Sequence, residues 1–343
     1  WRRCVPNRCI RLRVRTWPVK NPGNPGRKGS MASERQKVLV AVDGSEQSRE
    51  VVRYVTGICA PKRIEVTLFH VLSPVSESFW DTGTAPESSG TEPYRGWLAR
   101  HQTEMEVFMD GIRKVLSDSG FPDEAVRVVV QPRQEGIARD ILQEARRGYR
   151  AVAAGKIGRN PITRLVMGSV ASKLVAALTG VTLWLVDGRP DCRRVLVCID
   201  ASPAAVCVID LVGRMLSDSP AEITLFHAIR NPGPDLVSES DPSAAEAAAE
   251  QEMRARKALV PVFERAVASL ETAGISSERI SVKVISGMAT RGGALYAQAL
   301  SGDFGTIVVG RRGVSNVKAF PIGRVPMKLV QLINEQTVWV VSC

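Results

Sequence analysis

Short apolar runs alternate along this chain with longer segments whose apolar positions recur every three or four residues. The runs at 37–42, 63–71, 125–130, 150–155 and 181–186 are nearly continuous Val, Ile, Leu and Ala. That composition suits strands buried on both faces of a sheet. Between them, 45–58, 96–118, 136–147 and 168–179 carry the helical period. Strand and helix in strict alternation predict a parallel, doubly wound α/β sheet. A Pro/Ser/Gly-rich stretch, 73–93, interrupts the pattern after the second strand, and 231–243 does so again.

The second interruption belongs to a repeat. "KVLVAVDGS" (37–45) returns as "RVLVCIDAS" (194–202), and "VTLFHVL" (66–72) as "ITLFHAI" (223–229). "GKIGRNPITRLVMGS" (155–169) returns as "GRRGVSNVKAFPIGR" (310–324), and "TLWLV" (182–186) as "TVWVV" (337–341). Four blocks in one order imply duplication of a domain of about 150 residues, an ordinary domain size. The expected units are 35–188 and 193–343, each a five-stranded parallel sheet flanked by helices. A basic head, 1–34, precedes them and is expected to be disordered or not native to the protein.

The net charge of +11 comes mostly from that head: residues 1–30 hold nine Lys/Arg and no Asp/Glu. Without them, 37 basic residues face 35 acidic ones, so the repeats are close to neutral. Nucleic-acid binding through a basic arm is the alternative, and it is disfavoured because "NPGNPGRKGS" reads as linker. No apolar run is long enough to span a membrane. The seven cysteines are scattered and form no C-x-x-C pair, so no disulfide framework is expected and a cytoplasmic setting fits.

The chemistry concentrates after the fourth strand. Gly155 and Gly158 make a turn, and nine residues later Gly168-Ser169 opens a helix. A helix N-terminus offers unpaired N–H groups and a positive dipole end to an anion. With Lys156, Arg159 and Arg164 nearby, the stretch reads as a phosphate cradle. The bland alternative is a set of turn and cap glycines. No P-loop and no G-x-G-x-x-G after the first strand is present.

G-2x-G-9x-G-[S/T] after the fourth strand, with an Asp in "VAVDGS" after the first, resembles the universal stress protein family. The resemblance covers roughly 35–343, in tandem, and implies an adenine nucleotide alpha hydrolase-like fold. In nucleotide-binding members of that family ATP lies in this crevice, with or without Mg2+. Carried over, Asp43 lies by ribose and adenine, and Val71 offers backbone groups to adenine. Gly155 and Gly158 then line the ribose and phosphates, and Gly168, Ser169 and Val170 hold the phosphates. In the second copy Asp200, Gly310, Gly313 and Gly323 match, but Ala228 replaces the Val and Arg324 the Ser. Arg324 is expected to fold inward and fill that crevice, leaving the first copy as the main site. The resemblance also implies that the fifth strands, with Trp184 and Trp339, pair the two copies within the chain, and it leaves room for a homodimer.

The function expected is that of an ATP-binding regulatory or protective protein. Occupancy of the site would order the 73–93 loop. No general base is positioned, so any ATP hydrolysis should be weak. A nucleotide-independent interaction module is the rival. His70 and His227, at matching places in the second strands, are assigned structural roles.

Overall fold

The computed structural model describes residues 35–73, 92–157, 167–230, 242–288, 290–313 and 321–343. The basic head, Gly158, Arg159, Arg164 and most of both Pro/Ser-rich loops lie outside the described residues.

In the first copy β1 (Gln36–Ala41), α1 (Glu46–Ile58), β2 (Ile64–Leu72) and α2 (Glu92–Asp118) come first. They are followed by β3 (Val126–Pro132), α3 (Ile137–Ala145), β4 (Ala151–Gly155), α4 (Ser169–Ala177) and β5 (Thr182–Val186). The second copy repeats this as β6 (Arg194–Cys198), α5 (Ala204–Leu216), β7 (Glu222–Arg230), α6 (Pro242–Thr272) and β8 (Ile280–Met288). It closes with α7 (Arg291–Ser301), β9 (Thr306–Gly310), α8 (Arg324–Leu332) and β10 (Thr337–Val341). α2 begins at Glu92, four residues before the expected start. Pro93 reads as a breaker, yet the first turn of a helix needs no N–H from it.

All ten strands form one sheet, in the order β3-β2-β1-β4-β5-β10-β9-β6-β7-β8. Within each copy the strands are parallel and doubly wound. The seam is antiparallel: β5 lies against β10, and Trp184 faces Trp339. Alternate strand residues therefore feed two cores. Val38, Val40, Trp184 and Trp339 pack under α1, α2, α5 and α6. Leu39, Leu183, Leu185 and Val338 pack under α3, α4, α7 and α8. Both cores run across the seam, so each copy completes the other's hydrophobic layer.

The seam is tied by aromatic groups. Trp184 and Trp339 stack with centroids 4.2 Å apart. The Trp339 indole N–H donates to the Tyr54 hydroxyl at 2.8 Å, and that hydroxyl is 2.8 Å from the Thr306 Oγ1. Tyr54 belongs to α1 of the first copy, and burial holds its phenol well above the usual range.

Candidate crevices at the strand ends

The winding reverses between β1 and β4, and outside the carboxyl ends of strands at such a point a crevice is expected. Asp43 leaves β1 at this point. Its Oδ1 accepts from the Ser45 N–H at 3.0 Å and from the Ser48 hydroxyl at 2.6 Å. Ser45 in turn caps α1 by accepting from the Ser48 N–H. One carboxylate oxygen thus shapes the turn. His70, buried in β2, shares a 2.8 Å hydrogen bond with the Val42 carbonyl, so Nδ1 carries the proton and the ring props the end of β1. This is the structural role expected of it.

Gly155 ends β4 next to β1, since Val40 and Ala153 are paired two residues earlier. A Cβ at Gly155 would lie 2.7 Å from the Gln47 Cγ and 3.1 Å from the Ile157 carbonyl oxygen. The glycine is therefore needed for close packing of α1, whatever else the crevice holds. Gln47 was not anticipated. Its amide reaches over the strand ends and donates to the carbonyl of Val186 at 3.2 Å.

Gly168 is the N-cap of α4, and its N–H donates to the Lys156 carbonyl at 2.8 Å. That bond holds the helix start within reach of the end of β4. It also means that Gly168 keeps no N–H for a ligand, so an anion would meet the amides that follow. Ser169 is exposed and Val170 half-buried at that opening. Val71 is buried in β2, whose pairing with β1 ends at Ala41–Phe69 while β2 runs on along β3. The backbone edge at Val71 thus lies past the end of β1.

The second crevice repeats the geometry with other side chains. Asp200 accepts from the Ser202 N–H and hydroxyl. Gly313 sits over it: a Cβ there would come within 2.8 Å of the Asp200 Oδ2. The spacing of glycines and the aspartate after the first strand thus meet in space. Gly310 ends β9, and the Gly323 N–H donates to the Arg311 carbonyl at 2.8 Å, matching the first copy. Ala228, in β7, is buried. Arg324 departs from expectation. It is the first residue of α8 and its side chain is exposed, so it does not fill the crevice. The buried Pro326 takes the next-but-one place in the helix, where a missing N–H costs little. Arg312 stands where the first copy has Ile157.

The universal stress protein family profile matches residues 34–180 and again 192–342. The chain belongs to the universal stress protein family. A universal stress protein of Mycolicibacterium smegmatis is 28% identical over 174 residues, which is 49% of this chain and 55% of that relative. The chain thus spans about half the length of the curated relative it matches. A universal stress protein structure from Archaeoglobus fulgidus DSM 4304 superposes with a TM-score of 0.57 at 17% identity, covering 90% of this chain and 97% of that one. A putative universal stress protein from Pseudomonas aeruginosa UCBPP-PA14 gives 0.53 at 13% identity, covering 90% and 93%. At these identities the structures speak for the fold.

In this universal stress protein the residues after the first motif glycines serve the seam. Lys156 adjoins the expected phosphate cradle in sequence, and the structure turns it away. It is buried, and its Nζ donates to the Asp187 carboxylate at 3.1 Å and to the Ile333 carbonyl at 2.6 Å. Ile333 is the C-cap of α8 in the other copy. Arg311, its counterpart, is also buried and donates to the carbonyls of Val175 (2.7 Å) and Ala176 (3.0 Å), the last turn of α4. Each copy thus places a cation on the other copy's helix C-terminus, where carbonyls lack partners and the dipole is negative. Burial pushes the Asp187 carboxyl up, and the Lys156 charge opposes it. Among the described residues no helix is long and apolar enough to cross a membrane.

Proposed function

We propose that this universal stress protein binds ATP in its first crevice and acts in the cytoplasm as a nucleotide-dependent regulatory or protective protein. The observation carrying this reading is the Gly168-Ser169 helix start, held by the Gly168–Lys156 bond against the end of β4. Small residues leave room there, and the amides after Gly168 offer an anion site. Among the described residues no three His, Cys, Asp or Glu side chains converge. A Mg2+ ion would therefore be held mainly by the phosphates and water.

Two measurements test this together: mass spectrometry of nucleotide released from the purified protein, and calorimetric titration with ATP. Ser169→Ala should weaken ATP binding by about 1 kcal/mol, a net hydrogen bond. Gly168→Val should abolish it by placing a branched side chain at the helix mouth. Unchanged affinity in Gly168→Val sinks the assignment.

The second crevice is a separate anion site under this reading. Arg324 is exposed and does not fill it, and two arginines, Arg312 and Arg324, adjoin its motif glycines in sequence, which favours a phosphate. Two nucleotides per chain are then expected, and Arg324→Ser should weaken the second.

A further inference from the structure

The copies tie their first helix to the end of their last strand in different ways. In the first copy Gln47 of α1 does so through its amide to the Val186 carbonyl, with the Gly188 carbonyl at 3.5 Å. In the second copy the position of Gln47 is Ala204, which can make no such bond. Two other positions change with it: Glu50 becomes Cys207 and Gly188 becomes Cys343. The structure joins these two cysteines as a disulfide. Their Cα atoms are 5.9 Å apart, an ordinary bridging distance. No disulfide framework was expected from the scattered cysteines, and this pair is the exception among the described residues. A separation of 136 residues along the chain left no local sign of it.

We propose that Cys207 and Cys343 are a peroxide-reactive dithiol whose disulfide latches α5 to the end of β10 beside the second crevice. Ala204 and Val208, which bracket Cys207 on α5, lie 3.7 Å from where a Gly310 Cβ would be, so the latch sits on the crevice wall. Cys343 is exposed and Cys207 half-buried, which gives both oxidant and reductant access. The remaining thiols among the described residues are poor competitors. Burial pushes Cys192 up to about 12 and raises Cys59 and Cys198 well above the usual thiol range, so they stay protonated.

The chemistry balances with a hydroperoxide as oxidant. One thiolate attacks the peroxide oxygen, the O–O bond breaks, and a sulfenic acid forms with release of water. The second thiol attacks that sulfur, the S–S bond forms, and a second water leaves. Two thiols lose two electrons to one hydrogen peroxide. Reduced glutathione reverses the bond by thiol–disulfide exchange.

The test needs no nucleotide, so it is independent of the reading above. It uses the full chain with Cys4 and Cys9 replaced by Ser, treated with hydrogen peroxide or with reduced glutathione. Peptide mapping without reduction should recover the Cys207 peptide joined to the Cys343 peptide after peroxide and separate after glutathione. The oxidised form should melt about 5–10 °C higher, as expected for a bridge closing a long loop in a domain of this size. Amide exchange in the first turns of α5 should slow on oxidation, while α1 is unchanged. Cys207→Ser and Cys343→Ser should each remove all three effects, and Cys198→Ser should keep them. Oxidation only at other cysteines, or a Cys207–Cys343 bond that leaves melting and α5 exchange unaltered, overturns the proposal.

Discussion

Tyr54 shows how much one hydroxyl can carry at the seam. It accepts the Trp339 indole N–H and pairs with Thr306, all within the buried core. Its counterpart in the second copy is Leu211, and among the described residues the Trp184 Nε1 has no hydrogen-bond partner. Tyr54→Phe should leave the Trp339 N–H and the Thr306 hydroxyl unsatisfied and cost about 1–3 kcal/mol in chemical denaturation. A loss near zero would mean that water reaches the seam. His227 makes a pH prediction. Its Nδ1 is 2.7 Å from the Ile199 carbonyl, and burial lowers its pKa, with the nearby Arg291 charge adding to the effect. The fold thus favours the neutral ring. That stability is complete above the unfolded value of 6.5 and is lost as pH falls through the lower folded value. Melting temperature should drop over that window, and His227→Gln should flatten the drop. An identical pH profile in the variant would point to other groups.

At the scale of elements, most of the architecture was legible. Strands buried on both faces announce themselves as unbroken Val/Ile/Leu runs, and the observed bounds fall within a few residues of those runs. The repeat doubled every signal, which is why Asp43, Asp200 and the glycines could be picked out. What escaped was the destination of long side chains. Lys156 looked like a phosphate ligand because it adjoins the motif glycine. Its partner Ile333 lies 177 residues away and is brought close only by the β5–β10 pairing. The same holds for Gln47, whose role shows only when its change to Ala204 is set beside the paired cysteines. The helix ends carry a testable energy. Arg311→Met should strip the last turn of α4 of its partners and cost about 2–3 kcal/mol, since these are bonds to a charged donor. Arg311→Lys should recover part of that loss. In α6, Pro261 sits inside the helix on an exposed face. Pro261→Ala restores an N–H and should stabilise the protein by about 1–3 kcal/mol, a change that thermal melting would register.

For the whole molecule, the seam decides how the copies unfold. Two cores cross it, and two buried cations bridge it. A single cooperative transition is expected by calorimetry despite the tandem organisation. Lys156→Met removes the cap on α8 and strands the buried Asp187, and should cost about 3–5 kcal/mol. The double variant Lys156→Met/Asp187→Leu should recover most of this. If the single variant instead splits the melt into two steps, the copies are held together less by their shared cores than by this one ion pair.

The covalent link between the copies has a consequence for how such a seam can change. Where two identical chains meet across a twofold axis, every substitution is made twice, and a residue at the axis must tolerate its own image. Trp184 and Trp339 still look like such a pair. Around them the constraint has been released. Tyr54 stands against Leu211, Lys156 against Arg311, Gln47 against Ala204, and Glu50 and Gly188 against a joined pair of cysteines. Each side of the seam mutates alone, so one crevice can be tuned while its twin is left as it was.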